Sequence, residues 1–154
     1  NWIISELESS LLLYFGGVSR DSAQIIDEQT RNVQQQDNTA IDAMHALKQE
    51  SIAMKESLLK GDFDGLVQSM EAGWQAKKRM AKSISNPRIE ESYELAKQAG
   101  MLAGKISGAG GGGFMMLLVD PARRMDVIRA LSTTQGQIHN CHFTEIGTQG
   151  WKIY

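Results

Sequence analysis

The chain alternates between continuous apolar runs and long segments in which apolar residues recur at helical spacing. Two runs, Leu11–Phe15 and Phe114–Val119, are too short for helices that bury their own ends, and each predicts a buried strand. The first run stops at Gly16 and Gly17, which indicates a turn. Because strand-like apolar residues begin almost at the first position, we expect a strand to open the domain.

Three helices are predicted between these two strands. The first is expected from Ser19 to Gly61, where glycine favours a C-cap, and Asp62 has the side chain of an N-cap for the next helix. That second helix is predicted from about Phe63 to Lys82. The residues expected on its inward face are Leu66, Met70, Trp74 and Ala81.

Caps and alternation predict the remaining elements. Asn86 as N-cap, with Pro87 in the first turn, predicts a third helix that ends near Gly100 or Gly104. After the second strand, residues 120–121 (Asp-Pro) begin another helix. In the C-terminal tail, apolar and polar residues alternate well enough to predict a strand, a glycine-bounded turn and a final strand.

The resulting order is β, three helices, β, α, β, β. Strands at both ends with helices between them are typical of an α+β domain. We therefore expect a single domain over residues 1–154, a ferredoxin-like two-layer sandwich with helices on one face of a mainly antiparallel sheet. Since the sequence begins with Asn1 and has no polar lead-in, we also expect a piece of a longer chain.

Composition and charge narrow the class of protein. Lys and Arg number 16 against 18 Asp and Glu, for a formal net charge of -2, which argues against a nucleic-acid partner. Cys141 is the only cysteine, so an intrachain disulfide is excluded and a reducing, cytoplasmic compartment is expected. No apolar run reaches the roughly 20 residues of a membrane helix, and no membrane partner is expected.

Residues 108–113 (GAGGGG) match the pattern G-x-G-x-x-G, but their predicted context does not fit the known nucleotide loops. A dinucleotide fingerprint follows a strand and opens a helix, whereas we predict the reverse order here. A P-loop needs a lysine after the glycines, and Lys105 precedes them. A protein-kinase loop is followed by a V-A-I-K strand, which is absent. Extra glycines in an ordered loop cost about 0.5–1 kcal/mol each, so their repetition predicts close backbone approach to a phosphate or another segment.

Two stretches resemble the GHMP kinases, the superfamily of galactokinase, homoserine kinase, mevalonate kinase and phosphomevalonate kinase. AGKISGAGGGGFMMLL resembles the family's third conserved motif. The matching positions are Gly104, Lys105, Ser107, Gly108, Ala109, Gly110, Gly112 and Gly113. LLLYFGGVSRDSAQII resembles the strand and Arg-bearing turn, here Arg20, that open the family's C-terminal domain, with Gly16 where relatives usually place Thr or Ser. Within the family the likeness is greatest to bacterial kinases acting on D-glycero-D-manno-heptose phosphate.

The resemblance implies the C-terminal domain of an ATP-dependent kinase that transfers the γ-phosphoryl group to a sugar hydroxyl. It implies contacts of Lys105 and Arg20 with substrate or phosphate. The nucleotide phosphate loop, the Mg²⁺ ligands and the catalytic Asp are implied to lie in an N-terminal domain outside this sequence, so no catalytic residue or metal ligand is expected here and the chain alone should be inactive. The loop implied to shape the ATP and substrate-phosphate site comprises Ser107, Gly108, Ala109, Gly110, Gly111, Gly112 and Gly113.

Alternative interpretations stay open for these features. Lys105 equally fits an exposed lysine at a helix end, and Arg20 equally fits a pair with Asp21 or Asp27. A stand-alone small-molecule-binding or regulatory domain of the same fold is the rival function. A homodimer is a further expectation, because the absence of a partner domain would expose an apolar edge.

Two other clusters are interpreted as structural. The histidines and cysteine of the segment HNCH, residues 139–142, lack the paired four-ligand spacing of structural zinc sites, and we expect ordinary strand residues. An acidic group is expected on a solvated helix face. It comprises Glu90, Glu91 and Glu94.

Overall fold

The computed structural model describes residues 2–17 and 22–152. In chain order the regular elements are α1 (Trp2–Ser10), β1 (Leu11–Phe15), α2 (Ser22–Gln34), α3 (Asn38–Lys60), α4 (Phe63–Met80), α5 (Pro87–Ala99), β2 (Met101–Ile106), β3 (Phe114–Val119), α6 (Arg124–Leu131) and β4 (Gln137–Asn140). Two short 3-10 turns, Lys82–Ile84 and Pro121–Arg123, precede α5 and α6 respectively.

The four strands form one antiparallel sheet in the order β2-β3-β1-β4. Leu117 on β3 lies opposite Leu12 on β1 and opposite Gly104 on β2. A strand order of this kind, with a helical crossover after β1 and another after β3, is that of the ferredoxin-like β-α-β-β-α-β arrangement. The predicted α+β class is confirmed. Within the described residues, no helix combines the length and the apolar character needed to cross a bilayer.

The core lies on both faces of the sheet, because successive side chains of a strand point to opposite sides. Leu12 and Leu117 belong to the larger cluster, together with Trp74 of α4. Their neighbours Leu11 and Leu118 belong to a smaller cluster. The smaller cluster also contains Ala103 of β2 and three helix residues from α1 and the first half of α4: Leu7, Leu66 and Met70.

Helices α4 and α5 agree with the sequence prediction. Asp62 accepts a hydrogen bond from the Gly65 amide at 2.9 Å and caps α4, which ends at Met80, slightly before the predicted Lys82. Helix α5 begins after Asn86 and ends at the left-handed Gly100, one of its two predicted ends. The four residues predicted to face inward from α4 are all buried: Leu66, Met70, Trp74 and Ala81.

The expected opening strand is preceded by a helix, so the prediction that a strand opens the domain is wrong. Leu7 and Ser10 are buried on one face of α1, and Trp2 packs against the ring of Phe63 with centroids 6.1 Å apart. The apolar residues at the start of the chain suggested an extended strand, but those that pack on the core recur at helical spacing.

Three further boundaries differ from prediction. The first long helix is interrupted at residues 35–37, where Gln36 has a φ of 55° and the Asp37 side chain accepts hydrogen bonds from the first turn of α3. A strand, β2, follows Gly100 directly and had been predicted as part of a helix or a loop. In the tail only β4 is a strand, and residues 141–152 contain none.

Candidate functional site

The glycine loop (Ser107–Gly113) connects β2 to β3 as the turn of a hairpin. The Ser107 amide donates to the Phe114 carbonyl at 2.8 Å and closes this hairpin. L side chains rarely adopt positive φ, so the backbone path of the loop requires glycines. Positive φ occurs at Gly108 (81°), Gly110 (120°), Gly111 (73°) and Gly113 (82°).

The centre of the glycine loop packs directly on the Lys82–Ile84 turn. A Cβ atom added to Gly110 would lie 2.9 Å from the Ile84 Cα. The Gly111 amide donates to the Ile84 carbonyl at 2.7 Å. Asn86 Nδ2 donates to the Gly111 carbonyl at 3.1 Å, while Asn86 Oδ1 accepts from the Ile89 amide and caps α5. One asparagine therefore connects the loop to the start of a helix.

Glu28 of α2 stabilises the Lys82–Ile84 turn from the other side. Its carboxylate accepts hydrogen bonds from the Lys82 amide at 2.9 Å and from the Ser83 hydroxyl. The Ser83 hydroxyl is the main cause that holds the pKa of Glu28 below its usual value, and the backbone amides of Lys82 and Ser83 act in the same direction. Helix α2 thus contributes to the position of the glycine loop through one ionised side chain.

Lys77 of α4 contacts the first part of the glycine loop. Its ammonium group donates to the Ile106 carbonyl at 3.3 Å and to the Gly108 carbonyl. Burial, followed by repulsion from Lys105, lowers the pKa of Lys77 to about 8. Lys105 lies on β2, so its interpretation as a helix-end lysine is wrong.

Two pockets flank the glycine loop. The α5 pocket has a volume of about 310 Å³ and lies between the loop and the beginning of α5. Its lining includes Gly16, Asn86, Arg88, Gly112 and Gly113. The α4 pocket has a volume of about 350 Å³ and lies between α3, α4 and β2. Its lining includes Glu50, Trp74, Lys77, Lys105 and Gly108. The loop therefore separates two cavities, each of which contains at least one basic side chain.

Three hydrogen-bond donors in or near the α5 pocket have no partner in the part of the chain that the structure describes. Within the described residues, the amides of Gly112 and Gly113 have no hydrogen-bond partner, and neither has the exposed hydroxyl of Ser107. Arg88 lines the same pocket and donates to Gln135 at 2.7 Å. Backbone amides in a run of positive-φ glycines form concavities that favour anions. The arrangement is suited to a phosphate group.

The structure brings most of the predicted site residues together. Ser107 to Gly113 form one loop, and Lys105 lies just before it. Arg20 lies outside the described residues. The Gly16 amide donates to the Gly113 carbonyl at 3.3 Å, so the turn after β1 also contacts the loop.

Two sequence interpretations need correction. The glycines follow a strand, whereas a helix had been predicted before them; since another strand comes next, the dinucleotide fingerprint still lacks its helix. Glu90 is not simply solvated, because it pairs with Lys78 at 3.2 Å and accepts from the Ser85 hydroxyl. Glu91 and Glu94 are exposed as expected. Across residues 2–17 and 22–152, no group of three or more His, Cys, Asp or Glu side chains is arranged to bind a metal ion.

A family model described as GHMP kinases C terminal matches residues 54–137, more than half of the chain. The chain belongs to the GHMP kinase family. The D-glycero-alpha-D-manno-heptose 7-phosphate kinase of Campylobacter jejuni is 40% identical over 153 residues, which is 99% of this chain and 44% of the relative. The GHMP domain described above therefore spans less than half the length of this curated relative.

Solved structures support the same family and fold. A D-glycero-D-manno-heptose 1-phosphate kinase from Bacteroides thetaiotaomicron is 36% identical, with a TM-score of 0.65 over 99% of this chain and 39% of that one. The mevalonate kinase of L. major in complex with R-mevalonate has a TM-score of 0.72 at 22% identity, covering 80% of this chain and 37% of that one. This second likeness concerns the fold alone.

Three residues of this GHMP kinase domain that contact the loop or its support were missed by the sequence analysis. Asn86 was identified only as a helix cap, and Lys77 and Glu28 belong to no motif. The sequence carried one usable signal, the cap at Asn86, which lies 25 positions before its loop partner. The contacts of Lys77 and Glu28 join residues 31 and 54 positions apart, and no local pattern indicates them.

Proposed function

We propose that the full-length protein is an ATP-dependent sugar-phosphate kinase of the heptose phosphate type, in which this domain contributes the glycine loop to the active site. The γ-phosphoryl group of ATP would be transferred to a sugar hydroxyl. The names and identities of the two heptose phosphate kinases support this proposal. They differ in the position of the substrate phosphate, so the substrate is proposed only as a heptose phosphate.

The observation that carries the proposal is the group of unused donors beside the α5 pocket. The free amides of Gly112 and Gly113 and the Ser107 hydroxyl are neutral donors for phosphate oxygens. Phosphoryl transfer depends mostly on positioning and on charge stabilisation. Unpaired donors held in one loop would contribute to both. Lys105, which lines the α4 pocket on the other side of the loop, or Arg20 would add positive charge.

ATP and Mg²⁺ are proposed as the cosubstrate and the metal of the whole protein. The loop donors suit a phosphate group of ATP or of the sugar. The described residues offer no carboxylate cluster for the metal. A phosphate-binding domain, the metal ligands and the catalytic base would belong to other parts of the protein, so this domain alone is predicted to be inactive. Cytoplasmic location and a homodimer stay predictions.

The proposal is tested by ADP release from the full-length protein with a panel of sugar phosphates. The panel includes heptose 7-phosphate, heptose 1-phosphate and hexose 6-phosphates. We expect turnover with a heptose phosphate. In Ser107→Ala, kcat/KM should fall about 10-fold to 100-fold, the equivalent of one hydrogen bond to a charged group.

Gly147→Ala is the matched control, because a Cβ at Gly147 meets no atom within 4 Å and the residue is remote from the loop in sequence. Equal melting temperatures of the wild type, Ser107→Ala and Gly147→Ala would exclude misfolding as the cause of lost activity. Tight binding of sugar phosphates without ADP release would favour the alternative of a small-molecule-binding or regulatory domain.

A further inference from the structure

We propose that Lys77 is a positioning residue that fixes the first turn of the glycine loop and thereby orients Ser107. The proposal rests on the function above only for its kinetic test. Its structural test is independent of catalysis.

The geometry of Lys77 is that of a clamp across Ser107. Its ammonium group donates to the carbonyls of Ile106 and Gly108, the residues immediately before and after Ser107. These carbonyls belong to the 106–107 and 108–109 peptide groups, so the two hydrogen bonds together restrict the backbone torsions of Ser107 and Gly108. The exposed Ser107 side chain therefore extends from a backbone that is fixed on both sides.

The backbone of α4 places Lys77 close to the loop. Trp74, three positions earlier on α4, is 1% exposed in the core, and residues three apart lie on the same face of a helix. Helix α4 packs along β2, and the Lys77 side chain crosses from that helix to the end of the strand. Because α4 cannot rotate without removing Trp74 from the core, packing fixes the position from which the Lys77 side chain extends to the loop.

The charges around Lys77 leave the loop carbonyls as its main partners. Lys105 on β2 and Glu50 on α3 line the same α4 pocket. Within the described part of the chain, Lys77 has no carboxylate within the 4.0 Å of an ion pair. A half-buried ammonium group without an acidic partner costs free energy unless its protons are hydrogen-bonded. The carbonyls of Ile106 and Gly108 meet that requirement.

The protonation state of Lys77 changes close to physiological pH. Burial and Lys105 lower its pKa to about 8, so the ammonium form predominates below that pH and the neutral amine above it. A neutral amine forms weaker hydrogen bonds than an ammonium group. The clamp should consequently loosen as the pH rises through about 8, while an arginine would remain charged throughout.

The test compares three variants of the full-length protein by hydrogen–deuterium exchange and by kinetics. Lys77→Met removes the donors, and Lys77→Arg retains a charged donor at every pH. Lys97→Met is the matched control, because Lys97 donates at 2.9 Å to the Leu102 carbonyl of the same strand, at the end remote from the loop. Exchange is measured at pH 7 for peptides that cover residues 106–113.

We expect Lys77→Met to speed exchange across the glycine loop and to lower kcat/KM by about 10-fold to 100-fold, the effect of displacing a reacting group by about 1 Å. Lys97→Met should leave both unchanged. The wild type should lose activity as pH rises through about 8, and Lys77→Arg should lack this decline. If the exchange rate of the glycine loop were the same in Lys77→Met and in the wild type, the positioning role of Lys77 would be refuted. That conclusion would hold even if the protein proved not to be a kinase. Faster loop exchange in a protein without ADP release would instead overturn only the proposed function.

Discussion

The close approach of Gly110 to the Lys82–Ile84 turn gives a graded prediction for alanine substitutions. Gly110→Ala would place a Cβ 2.9 Å from the Ile84 Cα and 3.0 Å from its carbonyl oxygen, at a φ of 120°. The φ strain costs about 1–3 kcal/mol, and overpacking against a backbone that cannot retreat adds about 1–3 kcal/mol. We expect a loss of at least about 2 kcal/mol, which lowers Tm by roughly 4–8 °C in a protein of about 150–250 residues and by less in a longer chain.

Two other glycines separate these contributions. Gly108 has a φ of 81° with no atom within 4 Å of the added Cβ, so Gly108→Ala tests strain alone, at about 1–2 kcal/mol. Gly147→Ala has neither strain nor contact and should change stability by less than about 0.5 kcal/mol. Thermal unfolding of the full-length protein, followed by tryptophan fluorescence, measures the series. Equal Tm values for Gly110→Ala and Gly108→Ala would refute the close packing of the loop on Ile84.

Three further predictions concern the supports around the loop and the sheet. Asn86→Ala should lower the free energy of unfolding by about 1 kcal/mol for the lost cap and by about 1 kcal/mol for the lost hydrogen bond to Gly111. Asn86→Asp should recover only the contribution of the cap, as measured by urea unfolding. The pKa of Glu28 is lowered in the folded state. Ionised Glu28 therefore stabilises the fold above about pH 4.5, and this stabilisation is lost as pH falls through the lower folded-state pKa. In an unfolding series from pH 6 to 3, the free energy of unfolding of the wild type should approach that of Glu28→Ala. Arg124 donates to the carbonyls of Ser9 and Leu11 and to Asn140, and Arg124→Lys should fail to restore the Tm lost in Arg124→Ala, because an ammonium group lacks the guanidinium fork.

The parts of the fold that sequence predicts well are those whose signals are local. The apolar runs of β1 and β3 are continuous because both faces of these strands are covered. Asp62, Asn86 and Gly100 determine helix ends by hydrogen bonds within a few residues. The glycine loop was identified for the same reason, since positive φ angles favour glycine at four of its positions, Gly108, Gly110, Gly111 and Gly113.

The parts that sequence did not predict depend on distant partners. Strand β2 contains Met101, Leu102, Ala103 and Lys105, which are good helix formers, and it is extended because it pairs with β3. The tertiary environment overrides propensity there. The roles of Lys77, Glu28 and Asn86 likewise depend on contacts with the loop or the turn beneath it, so the loop was predicted without the residues that stabilise it.

The most direct test of the account is ³¹P NMR of the full-length protein incubated with ATP and D-glycero-D-manno-heptose 7-phosphate, repeated with the 1-phosphate. We predict that ADP and a heptose bisphosphate appear together and in equal amounts with at least one of these sugars. In Ser107→Ala, both signals should appear more slowly and to the same extent. ADP with inorganic phosphate but no bisphosphate, or no change in the spectrum despite sugar binding, would contradict the claim that the glycine loop belongs to a site that transfers the γ-phosphoryl group to a heptose phosphate.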